Sequence, residues 1–152
     1  MTENNEKSTE AQKNDHRSTP KASAFTEFIA KDWAKAEDDG YTREPVADYA
    51  AERRAKISKA FPGERLVLPA GPLKVRSNDC DYRFRAHSAF AHLTGLGIDH
   101  EPDAVLIFEP VEEGTGDNGS NHEVTLYFRP LAGRDTTEFY ADARYGEFWV
   151  GP

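Results

Sequence analysis

Five histidines and 27 acidic residues in a chain of 152 invite a search for a metal centre. Imidazole nitrogen beside carboxylate oxygen at close spacing is the donor set of zinc and manganese sites. The spacing argues against one. His87 and His92 are five apart, so they do not share a helix face as ligands three or four apart would, and no His-Glu-x-x-His or Cys/His cluster occurs. A nucleophilic site fares no better, because the chain has no Gly-x-Ser-x-Gly elbow and no glycine-rich loop of the phosphate-binding kind. Gly114-Thr115-Gly116 lies in an acidic stretch and reads as flexible chain. Arg76-Ser77-Asn78-Asp79-Cys80-Asp81-Tyr82 packs turn formers and charges behind an apolar strand, where open α/β sheets place binding loops. A solvated turn fits that composition as well.

The elements that must position these residues follow from the hydrophobic pattern. Residues 1–24 contain no branched aliphatic or aromatic side chain and read as a disordered tail. Order is expected from residue 25, where Phe25, Phe28, Ile29 and Trp33 fall at helical spacing and could lay one apolar face on the domain. Pro45 opens a second helix through Val46, Ala50, Ile57 and Phe61, stopped by Pro62-Gly63. Leu66-Val67-Leu68 has the pattern of a strand covered on both faces. Ser88 is placed to cap a short helix carrying Phe90 and Leu93, with Gly95 ending it in a left-handed turn. Ala104-Val105-Leu106-Ile107-Phe108 is the best candidate for a central strand. Residues 112–122 should form an exposed hairpin loop before the alternating strand Val124-Thr125-Leu126-Tyr127-Phe128. Beyond Phe128 no period is legible. The expected class is α/β, a mixed sheet flanked by helices and incomplete on its C-terminal side.

Composition narrows the function classes. A formal charge of -8 repels phosphate backbones and anionic lipid, so neither nucleic acid nor a membrane is expected as a partner. No apolar run approaches the length of a spanning helix, and the start has no signal-peptide pattern. A single cysteine, Cys80, excludes an intrachain disulfide and fits a reducing compartment, so a cytoplasmic protein is expected.

The order of short motifs along residues 53–152 resembles one family, the aminopeptidase P group of the creatinase and prolidase superfamily, in its N-terminal domain. The likeness rests on Arg53-Arg54, Phe61-Pro62-Gly63, Leu68-Pro69-Ala70-Gly71, Arg76-Ser77-Asn78-Asp79, Tyr82-Arg83-Phe84-Arg85, Ser88-Ala89-Phe90 and Leu93-Thr94-Gly95. It continues through Glu101-Pro102-Asp103-Ala104-Val105-Leu106, Arg134-Asp135 and Arg144-Tyr145-Gly146-Glu147-Phe148-Trp149-Val150-Gly151. The longer leader with Trp33 is similar to that of actinobacterial members. One departure is Ala89, where the family usually carries an acidic residue. The other is length, since the family's N-terminal domain runs on past this point and a separate catalytic domain follows. By the resemblance this chain is truncated before that domain.

The resemblance implies an Xaa-Pro aminopeptidase that releases the residue preceding proline from a peptide's amino terminus. In such enzymes two Asp, one His and two Glu of the catalytic domain hold two Mn ions, and a bridging hydroxide attacks the carbonyl before proline. Those ligands are not expected among residues 1–152, so no metal site, no cofactor and no catalytic residue is expected in this chain, and no peptidase activity of its own. The N-terminal domain is implied to serve oligomerisation and to gate substrate. Trp149 matches a tryptophan that lies near a neighbouring subunit's substrate, where an indole packs on a proline ring. A core aromatic is the other reading of that residue. Asp79 matches an acidic position facing the substrate's ammonium group, or else caps its own turn. Arg76 and Arg85 are expected to support the loop and the following helix through hydrogen bonds. The competing reading is a free-standing binding or assembly module without catalysis.

Overall fold

The computed structural model describes residues 22–34, 42–77, 80–100 and 102–151. The expected tail therefore lies outside the described residues up to position 21. The described residues fall into two compact units, residues 42–130 and residues 22–34 together with 131–151.

The larger unit is built on three antiparallel strands, β1 (Leu66–Pro69), β4 (Val105–Pro110) and β5 (His122–Tyr127), in the order β1-β4-β5. Its helices are α2 (Val46–Ala60) and α3 (Ser88–Thr94), and a hairpin of β2 (Val75–Ser77) and β3 (Cys80–Asp81) stands between β1 and α3 in the chain. An α/β fold is what the sequence pattern called for, with the strand from Val105 at the centre. The register makes one face from the rows Leu66–Phe108–Val124 and Leu68–Leu106–Leu126. On that face Leu106 and Phe108 are buried with Phe84, Phe90 and Leu93. Full burial of each such side chain contributes about 1.5–3 kcal/mol over leaving it in water.

The opposite face carries the rows Val67–Ile107–Thr125 and Pro69–Val105–Tyr127, and there Val67 and Tyr127 are exposed. This corrects the expectation that β1 is covered on both faces. Strand β1 is an edge, and its apolar run hides a strict alternation in which only Leu66 and Leu68 turn inward. An apolar run of three residues does not report how many faces are covered.

Helix α2 follows Pro45 and ends before Pro62-Gly63, as its flanking residues require. Its inward stripe is Ala50, Arg54, Ile57 and Ser58, at the i, i+4, i+7, i+8 positions of one face. Two of those four are polar, so the helix face is weak in apolar pattern. Helix α3 begins at Ser88 itself, and the capping position is His87, with no side-chain cap bond. The expected serine cap is therefore displaced by one residue. Gly95 does end α3 in the left-handed conformation, at φ 83°, and a Cβ there would stand 2.8 Å from Cγ1 of Val46. Two arginines of α2 tie down the end of α3: Arg53 donates to the carbonyl of His92 at 3.1 Å and Arg54 to that of Leu93 at 2.8 Å. These carbonyls have no partner within the helix, so the bonds supply what the backbone lacks. Burial lowers the guanidinium of Arg54 from its ordinary value, and the charge of Asp117 opposes that shift. An arginine stays charged at neutral pH regardless.

His122 corrects a further expectation. The sequence placed it in an exposed loop, whereas it is the first residue of β5 and fully buried. Its Nε2 lies 2.8 Å from the carbonyl of Glu64, an acceptor only, so Nε2 carries the proton. Nδ1 then accepts from Oγ of Ser58 at 2.8 Å, and the same Oγ accepts the amide of Asn121 at 2.9 Å. The imidazole and the Phe108 ring meet edge to face, 5.8 Å between centroids. Serine, histidine and two backbone groups form a closed set in which every donor has an acceptor.

The smaller unit contains α1 (Ser23–Ile29), α4 (Glu138–Ala141) and α5 (Glu147–Val150). Helix α1 starts two residues inside the segment read as tail and ends before Trp33. Its expected apolar face is only partly realised: Phe25 and Ile29 are half-buried, while Phe28 is exposed. Helices α4 and α5, in the stretch where no period was legible, are single turns that bury Phe139, Tyr140 and Tyr145 around them.

Candidate substrate-facing site

The residues singled out for substrate fall in different units, and each is described within its own. In the larger unit, Arg76 is exposed on β2 and Arg85 is exposed at an isolated antiparallel bridge with Ile98. Asp79, between β2 and β3, lies outside the described residues. The turn-former stretch is thus a short hairpin, Val75 pairing with Asp81 and Ser77 with Cys80. In the same unit, the bonds to the carbonyls at the end of α3 come from Arg53 and Arg54.

In the smaller unit the path to Trp149 begins at Asp142. Its carboxylate accepts the amides of Arg144 at 2.9 Å and Tyr145 at 3.2 Å, a side-chain-closed turn that delivers the chain to Gly146. The amide of Gly146 donates to the carbonyl of Asp142 at 2.8 Å. A Cβ at Gly146 would run into the carbonyl oxygens of Phe139 and Asp142, so only glycine lets α5 start this close to α4. The amide of Ala132 donates to Tyr145 at 2.7 Å and that of Glu147 to Ala132 at 3.1 Å, which binds the segment after Leu131 alongside α5.

Helix α5 then presents Trp149, which is 56% exposed. Its Nε1–H donates to the carbonyl of Tyr140 at 2.6 Å. The single polar atom of the indole is therefore engaged inward, and the ring offers the solvent an apolar π surface. Phe148 meets it edge-on, 5.1 Å between centroids and 86° between planes.

Two clusters escaped the sequence reading. One is the Ser58–His122 pair, for which a histidine in a polar stretch gave no signal. The other is Arg134: its Nη1 donates to the carbonyl of Ala34 at 2.7 Å, its Nη2 faces Oε1 of Glu147 at 3.6 Å, and its guanidinium lies 5.7 Å over the ring of Trp33. Arg134 was noted only as part of a motif. Among the described residues, no three or more His, Cys, Asp or Glu side chains converge into a set that could hold a metal ion. Nor is any helix among them long and apolar enough to cross a membrane.

Comparison with known proteins bears on the same stretch. Residues 50–152 match the family described as Aminopeptidase P, N-terminal domain. The chain is 44% identical over 129 residues to Xaa-Pro aminopeptidase 1 of Streptomyces coelicolor, covering 84% of this chain and 24% of that protein. It is 43% identical over 119 residues to Xaa-Pro aminopeptidase 2 of the same organism, covering 78% of this chain and 23% of the relative. The fold superposes on aminopeptidase P from Escherichia coli with a TM-score of 0.51 and 26% identity, covering 72% of this chain and 20% of that one. The chain thus spans about a quarter of the length of the curated relatives it matches. On its sequence and its fold alike, it belongs to the aminopeptidase P family, as that family's N-terminal domain.

Proposed function

We propose that the chain is the non-catalytic N-terminal part of a cytoplasmic Xaa-Pro aminopeptidase, supplying a wall of the substrate site and oligomer contacts while cleavage is performed elsewhere. The observation that carries this reading is the state of Trp149: an exposed indole face with its N–H already bonded to Tyr140. Such a face packs on an apolar ring without desolvating an unpaired donor, and proline is the one residue whose side chain is a saturated ring. Asp79 would meet the peptide's ammonium group through a charge-assisted bond. Arg76 and Arg85, both exposed, would border that loop.

The reaction of the family calls for two Mn ions. The residues described here do not fit a dinuclear site, since no three potential ligands converge. No step of cleavage is therefore assigned to this chain, and the 152-residue protein by itself is expected to be inactive. The homo-oligomer expected of the full-length protein would be the means by which Trp149 reaches a neighbouring subunit's substrate. The net charge of -8 speaks against nucleic acid as a partner.

A chimera provides the test: residues 1–152 joined to the part of the Streptomyces coelicolor relative beyond its matched region, assayed on an Xaa-Pro peptide. An aromatic contact on the proline ring contributes about 0.5–1.5 kcal/mol, so Trp149→Ala should raise KM by about two- to tenfold and leave kcat within twofold. An unchanged KM would refute the role of Trp149.

A further inference from the structure

We propose that Trp33, in the leader ahead of the family domain, is a positioning residue for Trp149 and so a determinant of how the chain receives proline. The inference deepens the function proposed above and rests on that reading for its last step. Trp33 lies outside the matched residues 50–152, yet it belongs to the same compact unit as the segment that carries Trp149.

Trp33 is wedged edge-on against two aromatic rings at once. It meets Phe139 at 5.9 Å and 82°, and Phe148 at 5.9 Å and 88°. Phe139 and Phe148 also meet each other, at 5.9 Å and 69°, so the three rings form a closed triangle. Phe148 in turn contacts Trp149 at 5.1 Å. Only one ring therefore separates Trp33 from the proposed substrate wall. Phe139 is buried, at 2% exposure, whereas Phe148 is 37% exposed even with Trp33 in place. Removing the indole would uncover both and free Phe148 to rotate.

Two further contacts fix the wedge. The Nε1–H of Trp33 donates to the carbonyl of Ile29 at 2.6 Å, holding the indole to the end of α1. Arg134 covers the ring, at 5.7 Å, and links the leader carbonyl of Ala34 to Glu147, the first residue of α5. A cation over an aromatic face is favourable when partly desolvated, and Arg134 is only 30% exposed. Leader and α5 are thus clamped by a π contact, a hydrogen bond and an ion pair that share one guanidinium. Phe25 against Tyr140, at 5.2 Å, adds a second attachment, on the residue whose carbonyl receives the indole N–H of Trp149.

The test uses the full 152-residue chain uniformly labelled with 15N, comparing Trp33→Ala and Trp33→Phe with the parent. The readout is hydrogen exchange of the Trp149 indole N–H, which reports opening of its bond to Tyr140 and needs no peptide. Trp33→Ala should speed that exchange by about tenfold, while Trp33→Phe, which keeps an aromatic edge between Phe139 and Phe148, should hold it within about threefold of the parent. Backbone exchange at Leu106, in the other unit, should not change in either variant. Parent-like exchange in Trp33→Ala would overturn the proposal, and so would equal acceleration in both variants. In the chimera, Trp33→Ala should raise KM for an Xaa-Pro peptide without lowering kcat. If the indole exchange responds but Trp149→Ala leaves KM unchanged, positioning stands and the substrate role of the wall falls.

Discussion

Replacing Ser58 by alanine probes the larger unit at a fully buried polar contact. The hydroxyl serves two partners at once, donating to Nδ1 of His122 and accepting from the amide of Asn121. In the variant Nδ1 becomes a buried acceptor with no donor, since His122 has no exposure and Nε2 is committed to Glu64. Leaving such a group unpaired costs about 1–3 kcal/mol, and the half-buried amide of Asn121 adds up to about 1 kcal/mol. The expected loss is thus about 2–3 kcal/mol. Urea denaturation with an m-value near 1–2 kcal/mol/M would show the midpoint falling by about 1–3 M with m unchanged. Long-range 15N spectra of the parent should show His122 as the tautomer protonated on Nε2. A loss below about 0.5 kcal/mol, or the opposite tautomer, would refute the reasoning, because it would mean that water or another donor reaches Nδ1.

Other consequences are as direct. Gly95→Ala should destabilise by about 1–2 kcal/mol, since it forces a left-handed residue with a side chain against Val46. Combining it with Val46→Ala should recover the steric part alone, which a double-mutant cycle in denaturation would separate from the backbone part. Arg54→Ala should cost about 1–2 kcal/mol by orphaning the Leu93 carbonyl at the end of α3, read as a lower thermal midpoint. Phe108→Ala, at the centre of the buried face, should cost about 3–5 kcal/mol, enough to unfold much of the population at 37 °C. By contrast Val67→Lys on the exposed row of β1 should change stability by less than about 0.5 kcal/mol and reduce self-association in analytical ultracentrifugation.

The central strand, the α2 boundaries and the left-handed end at Gly95 were legible because each depends on residues adjacent in sequence. Pro62-Gly63 stops a helix whatever surrounds it, and five apolar residues from Ala104 leave few alternatives to a buried strand. What was not legible depends on partners far along the chain. The burial of His122 is decided by Ser58, 64 positions away, and the inward stripe of α2 is half polar because Arg54 and Ser58 serve α3 and β5. The one-sidedness of β1 is set by its place at the sheet edge, which no local pattern encodes. For the candidate site, Trp149 was singled out through its motif, but its exposure and its inward-turned N–H depend on Gly146 and Tyr140. Arg134 passed as a motif residue because its three contacts, to Ala34, Glu147 and Trp33, come from opposite ends of the chain.

The division of labour between shaping a proline site and cleaving at it can be settled in a single side-by-side assay. Purified 152-residue chain and the chimera would each be incubated with Mn and an Xaa-Pro peptide, and release of the first residue followed. The account predicts release by the chimera and none above a metal-free control by the chain alone. Metal-dependent release by the chain alone would contradict it.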